Sequence, residues 1–274
     1  MKLENKIAII TGGSQGIGAG IAQRFAEEGA AVVIADINEE KSKELTSKLT
    51  ASGHRAIFVV CDVSDSTQVD NLFSRTLEEF GRLDTLVNNA ALTHHPESNK
   101  HFLELSTEAW LKALAINLTG MFFCSQRAGR IMVKQVAEGK ATGGCIINIG
   151  SGGGSRAHRQ LLAYDTTKGG IEAATRGMAL DLAPWKIRVN TLVPGNVHVK
   201  NSLGGAIGPD AAQRTIPFGR PGSPDELGAA AAFIASDDAL YMTGQRLIID
   251  GGMDAQLRSP GVDTKIDLSL LERL

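Results

Sequence analysis

Short runs of consecutive apolar, often β-branched residues alternate with longer amphipathic stretches from the first residues almost to the end of the chain. The runs at 6–11 (KIAIIT), 31–36 (AVVIAD), 56–61 (AIFVVC), 83–87 (LDTLV), 145–149 (CIINI), 187–193 (IRVNTLV) and 246–250 (RLIID) predict seven strands. They are continuously apolar rather than alternating, as parallel strands covered on both faces must be. The stretches at 16–28, 39–51, 66–80, 107–134, 163–183 and 224–235 predict helices between them. Strand and helix in strict alternation imply βαβ units with right-handed crossovers. The expected fold is α/β: a Rossmann-like, doubly wound parallel sheet of about seven strands with helices on both faces.

No repeat, low-complexity tract or Pro/Ser-rich linker interrupts the alternation, so residues 1–253 read as one domain. The Gly/Pro/Asn-rich stretch 195–217 is long for a connection and is expected to be functional. Residues 254–274 form a tail whose end, DLSLLERL, reads as a short amphipathic helix.

Composition narrows the function classes. Apolar residues make up 43% of the 274, enough for a sizeable core, and the net charge is −2. Without a basic excess or a basic stripe, a nucleic-acid partner is not expected. No apolar run approaches membrane-spanning length, and the first residues run straight into a strand with no signal-peptide-like segment. Cys61, Cys124 and Cys145 lie far apart in apolar segments, with neither metal-ligand spacing nor an even count for disulfides. A cytoplasmic protein with buried thiols and no metal site is expected.

The stretch Thr11–Gly12–Gly13–Ser14–Gln15–Gly16–Ile17–Gly18 follows the first strand and opens a helix. Glycines there let the backbone turn tightly and approach a pyrophosphate, whose charge meets the helix N-terminus. The expected cofactor contacts are Gly12, Ser14, Gln15, Gly16, Ile17 and Gly18. Asp36 ends the second strand, with Ile37 after it, near the offset at which a ribose-binding acid is expected. Its carboxylate would accept from the adenosine 2′-hydroxyl and repel a 2′-phosphate, and Gln15 brings no compensating charge. Asn38 is the better-placed helix cap. These residues point to NAD rather than NADP.

Tyr164 and Lys168 stand four residues apart at the start of a predicted helix and share one face. A free phenol, with a pKa of about 10, is a poor base near neutrality, and a neighbouring ammonium favours its phenolate. Together with the glycine loop and Ser151, this pair resembles the short-chain dehydrogenase/reductase family. The resemblance runs to Met253 and includes Asp62–Val63, Asn88–Asn89–Ala90, Asn117, Ser151, Tyr164, Lys168, Pro194–Gly195, Arg220–Pro221–Gly222, Thr243–Gly244–Gln245 and Asp250–Gly251–Gly252.

The resemblance implies a catalytic group of Asn117, Ser151, Tyr164 and Lys168. Tyr164 would be the general acid/base and Ser151 would hold the reacting oxygen. Lys168 would bind the nicotinamide ribose and lower the Tyr164 pKa, and Asn117 would hold a water in a proton relay. Asp62 and Val63 would flank the adenine, Asn89 and Ala90 would lie along the cofactor, and Pro194 and Gly195 would complete its site. Taken singly, Asn117 also reads as a kink in a helix and Ser151 as a turn residue.

Three positions depart from the family pattern. Ala91 stands where glycine is usual, and Gly150 where a second serine often precedes the catalytic one. The threonine often found after Pro–Gly is replaced by Asn196-Val197-His198. Backbone groups of Val197 are expected to take over the carboxamide contact.

The wall between Ser151 and Tyr164 carries Arg156, His158 and Arg159, which suggests a polar substrate such as a sugar, polyol or small acid. His95, Ser151, Gly153, His158, Tyr164 and Asn196 are the expected substrate residues. The implied activity is oxidation of a secondary alcohol of a sugar, polyol or cyclic alcohol to a ketone or lactone, with NAD. Two other readings stay open: an NAD(P)H-dependent ketone reductase of the 3-oxoacyl thioester type, and a non-catalytic NAD-binding regulatory protein. The partners are a small-molecule alcohol or ketone and, by resemblance, three further copies of the chain. The segment before Asn117 and the small-residue helix after Lys168 would form one homotetramer interface.

Overall fold

A computed structural model describes residues 1–93, 96–199, 208–259 and 262. The elements run β1 (Ile7–Thr11), α1 (Gly16–Glu27), β2 (Ala31–Asp36), α2 (Glu39–Ala51), β3 (Ala56–Val60), α3 (Ser66–Phe80) and β4 (Thr85–Asn88). There follow α4 (Thr107–Leu114), α5 (Gly120–Ala137), β5 (Gly144–Ile149), α6 (Leu162–Leu182), β6 (Ile187–Pro194), α7 (Pro209–Thr215), α8 (Pro224–Ala235) and β7 (Arg246–Ile249). The seven strands form one sheet in the order β3-β2-β1-β4-β5-β6-β7, with every neighbouring pair parallel. This is the Rossmann-like doubly wound arrangement that the alternation predicts.

Side chains of one strand serve two cores. Ala8 and Ile10 of β1 pack with Val32 and Ile34 under α1, α2 and α8. Ile9, Val33 and Ala35 face the opposite layer, with Leu72 of α3, Cys124 of α5 and Ala179 of α6. Burial on both faces is why these strands read as unbroken apolar runs. All three cysteines are buried free thiols.

The helix ends follow local chemistry. Asn38 caps α2 by accepting from the Lys41 N–H at 3.0 Å. Ser223 and Glu226 close a reciprocal capping box at the start of α8. The helix expected over 107–134 is interrupted: Ala115–Thr119 form a π-helical turn between α4 and α5. The stretch 195–217 contains α7, and residues 200–207 lie outside the described residues. The helix expected at the end of the tail lies outside them as well.

From β1 the chain winds outward through β2 to β3, then returns to place β4 on the other side of β1. The connections after β1 and β4 therefore diverge and leave a crevice at the carboxyl ends of the strands, where ligands of such sheets bind.

Candidate active site

The glycine loop after β1 meets the chain after β4 in this crevice. Gly12 sits in the left-handed region at φ 60°. A Cβ on Gly18 would lie 2.1 Å from the Gly12 carbonyl oxygen, so only glycine lets the first turn of α1 close on the loop. Asn89 clamps this turn: its Nδ2 donates to the carbonyls of Thr11 and Gly12 at 3.0 and 2.9 Å. The Thr11 hydroxyl accepts from the backbone N–H of Asn89 and Ala90 at 3.0 and 3.1 Å. The Asn89 amide nitrogen thereby shapes the loop. The Ser14 hydroxyl is buried without a hydrogen-bond partner among the described residues. An orphaned polar atom inside a glycine cradle at a helix N-terminus fits a phosphate oxygen.

The Asp36 carboxylate is buried at the end of β2 and accepts from the Ser14 N–H at 3.1 Å and the Asn38 N–H at 3.0 Å. One bond to each oxygen leaves acceptor capacity on both. Ile37 is exposed beside it. Sequence reasoning did not weigh Lys41, whose ammonium donates to the Gln15 amide oxygen at 2.5 Å. The loop rim thus carries a cation as well as the Asp36 anion. Asp62 turns inward on its own loop, accepting from the N–H and hydroxyl of Ser64 at 2.9 and 2.7 Å. Val63 is buried against Gly120, where a Cβ would come within 2.7 Å of its Cγ2.

Ser151 follows β5, and Tyr164 and Lys168 lie on the first turns of α6, as the spacing predicts. Lys168 is buried; its ammonium donates to the Ile149 carbonyl at 2.7 Å and lies 5.5 Å from the Tyr164 ring centre. Desolvation pulls the lysine pKa down from 10.5 to about 8. Burial pushes the Tyr164 phenol up; a hydrogen bond with the Ser151 side chain lowers it, and the Asp165 charge raises it. Among these influences the lowering one is the Ser151 hydrogen bond.

Asn117 sits in the π-helical turn with its side chain buried. Its Oδ1 accepts from the Leu92 N–H at 2.7 Å, and its Nδ2 donates to the Leu92 carbonyl at 3.2 Å and the Thr167 hydroxyl at 3.1 Å. Thr167 in turn donates to the Tyr164 carbonyl at 2.7 Å. A cavity of about 10 Å³ bounded by Asn117, Lys168, Thr11 and Asn88 has room for one water.

Ser151, Tyr164, His158, Pro194, Gly195, Asn196 and Val197 border one cavity of about 500 Å³, together with Ile17 of the glycine loop. Val197 bridges to Gly222 through its neighbours: His198 donates to the Gly222 carbonyl and Gly222 to that of Asn196. This register turns the Val197 N–H and C=O the other way, free of partners among the described residues. The Asn196 amide oxygen is buried and has no partner among the described residues. Gly153 lies behind the wall, beside Asp165. His95 lies outside the described residues. A larger cavity, about 720 Å³, opens at the amino ends of the strands around Lys6, Asp84 and Arg188 and holds none of the predicted site residues.

Sequence reasoning missed Thr11, Thr167 and Asp165, whose roles depend on contacts across the fold. For Asp165, adjacency to Tyr164 was the one available signal.

The family model described as "Enoyl-(Acyl carrier protein) reductase" matches residues 12–254. The chain is 38% identical over 254 residues to 2,5-dichloro-2,5-cyclohexadiene-1,4-diol dehydrogenase LinX of Sphingobium indicum, covering 92% of this chain and 97% of the relative. It is 36% identical over 255 residues to D-threitol dehydrogenase of Mycolicibacterium smegmatis, covering 92% and 94%. Among solved structures, the 3-ketoacyl-(acyl-carrier-protein) reductase from Brucella melitensis complexed with NADH aligns with a TM-score of 0.84 at 33% identity, covering 92% of this chain and 99% of that one. Likeness of that extent, over a span holding the glycine loop, Ser151, Tyr164 and Lys168, means that this chain belongs to the short-chain dehydrogenase/reductase family of oxidoreductases.

Proposed function

We propose that the protein oxidises a secondary alcohol of a sugar, polyol or cyclic alcohol to a ketone or lactone, using NAD. The observation that carries this reading is the meeting of Ser151 and Tyr164 on the wall of a cavity whose far border is the glycine loop residue Ile17. The names of two relatives, a diol dehydrogenase and a threitol dehydrogenase, support the substrate class.

Bound NAD supplies the hydride acceptor. Tyr164 takes the proton of the substrate hydroxyl while Ser151 holds the same oxygen, which fixes where the base meets it. Lys168, held between the Ile149 carbonyl and the Tyr164 ring, would bind the nicotinamide ribose, and the Ser151 hydrogen bond favours the ionised phenol. Asn117 and the adjoining water-sized cavity provide a route for the proton away from Lys168. The glycine loop with Ser14, Gln15 and Ile17 would hold the pyrophosphate, and Asp62, Val63 and Ala90 would flank the adenine and ribose. Val197 would anchor the carboxamide through backbone groups that are free among the described residues. Asp36 accepts from the adenosine ribose hydroxyls and disfavours a 2′-phosphate, against the opposing charge of Lys41.

Ketone reduction of the 3-oxoacyl type is the second reading, favoured by the name of the Brucella relative. The retention of Ser151, Tyr164 and Lys168 argues against a purely regulatory protein. We further propose residues 1–253 as one catalytic unit with 195–217 over the substrate, 254–274 as its tail, and a cytoplasmic homotetramer. Among the described residues, no helix is long and apolar enough to cross a membrane.

The deciding measurement is NADH or NADPH formation against sugars, polyols, cyclic alcohols and hydroxy acids. Turnover of polyhydroxylated compounds with NAD preferred is expected, and Tyr164→Phe should reduce it by about 10²-fold or more while NAD still binds. Consumption of NADPH with 3-oxoacyl thioesters, and no alcohol oxidation, would establish the second reading.

A further inference from the structure

His158 borders the cavity that holds Ser151 and Tyr164. Its Nδ1 lies 2.8 Å from Asp165 Oδ1, and its backbone N–H donates to Asp165 Oδ2 at 2.7 Å. The Asp165 side chain is 10% exposed and that of His158 50%, so the carboxylate sits behind the ring and the ring faces the opening. An ionised carboxylate can only accept, which places the proton of the neutral imidazole on Nδ1 and leaves the lone pair on Nε2. Nε2 has no hydrogen-bond partner among the described residues.

The pair has a place made for it. A Cβ on Gly153 would lie 2.0 Å from Asp165 Oδ1 and 3.1 Å from His158 Nδ1, so any other residue there would displace the carboxylate from the ring. Asp165 also follows Tyr164 directly on α6. The imidazole is thereby held in register with the general base, although it belongs to a loop.

The cation on this cavity among the described residues, Arg156, is already matched. Arg156 donates to the carbonyls of Met253 and Asp254 at 3.0 and 2.5 Å and pairs with the Asp254 carboxylate at 3.2 Å. Asp250 accepts from the N–H of Gly252 and Asp254 at 2.9 and 2.6 Å. An anionic substrate would meet the carboxylates of Asp250 and Asp254, with the Arg156 guanidinium already committed to Asp254. A neutral molecule with an extra hydroxyl meets a free acceptor instead.

We infer that His158, oriented by Asp165, accepts a hydrogen bond from a second substrate hydroxyl and so selects neutral diols and polyols over mono-alcohols and hydroxy acids. This rests on the alcohol-oxidation reading and names the chemistry by which the same site chooses. A mono-alcohol that covers Nε2 with a methylene leaves the acceptor unpaired, and sites built around a hydrogen bond reject such analogues strongly.

The test compares kcat/KM for butane-2,3-diol against butan-2-ol, and for cyclohexane-1,2-diol against cyclohexanol, in the full-length wild type, His158→Ala, His158→Gln and Asp165→Asn. In the wild type the diol-to-mono-alcohol ratio should be about tenfold or more. His158→Ala should bring it close to one, and His158→Gln, whose amide oxygen still accepts, should restore part of it. Asp165→Asn should reduce the ratio by loosening the ring, a change that general destabilisation, which lowers both rates together, does not produce. A ratio near one in the wild type, or a high ratio that His158→Ala leaves intact, overturns the second-hydroxyl site while the alcohol-oxidation reading stands. Absence of any alcohol oxidation overturns both.

Discussion

At the scale of single residues, the buried Lys168 sets function against stability. Its ammonium has given up water for one carbonyl bond, and desolvation brings its pKa from 10.5 down to about 8. Below pH 8 both folded and unfolded chains hold the proton, and the folded state bears the full desolvation cost. Between about pH 8 and 10.5 the unfolded chain holds a proton that the folded chain has lost, so this group makes folding more favourable as pH rises. Lys168→Met should therefore raise the Tm at pH 7, by about 3 °C, while abolishing turnover. The advantage should shrink steadily from pH 8 towards pH 10 in thermal unfolding of the two proteins. A Met variant less stable than wild type at pH 7 would mean that the Ile149 bond outweighs desolvation.

At the scale of elements, the cofactor loop depends on how α1 is seated. A Cβ on Gly20 would lie 2.4 Å from the Pro224 carbonyl oxygen, and one on Gly228 would lie 2.7 Å from that of Gly20, so α1 and α8 touch backbone to backbone. Gly228→Val must push the helices apart, and a cost of about 2–3 kcal/mol follows from overpacking. The Tm should fall by about 5–10 °C, and the KM for NAD should rise, because the amino end of α1 is the glycine loop itself. A lower Tm with an unchanged KM would separate helix packing from cofactor binding. The strands and α1 were legible in the sequence because burial on both faces writes unbroken apolar runs, and glycines mark the turn between β1 and α1. The π-helical turn left only Asn117, readable as a kink, because Ala115, Ile116 and Leu118 continue an apolar helical pattern and one extra residue in a turn does not break it over so short a span. The short α7, PDAAQRT, was hidden in a stretch rich in Gly and Pro. The Tyr164–Lys168 pair was readable from i,i+4 spacing, while the pairing of His158 with Asp165 across a loop has no periodic signature.

At the scale of the whole molecule, α6 joins the proposed catalytic group to the outer surface. Tyr164 and Lys168 occupy its first turns, and Leu180, near its other end, is 77% exposed. The helix packs against α4 and α5, which expose Leu111 and Phe122. Three large apolar side chains in water on neighbouring helices are a poor surface for a lone chain and a suitable one for a second copy. If copies meet there, their contact holds α6 in place from outside, as the Ile149 carbonyl and Asn117 restrain its start from within. The double variant Leu180→Asp, Phe122→Asp should place like charges across that contact, and sedimentation should show wild-type protein at four times the chain mass and the variant at a smaller multiple. Its Tm should fall and its turnover drop, with KM for the alcohol less affected than kcat, because the substrate cavity is built within one chain whereas the angle of α6 sets how Tyr164 meets the substrate oxygen. A variant that keeps the wild-type mass would move the interface to another face, with the edge strand β7 the next surface to test.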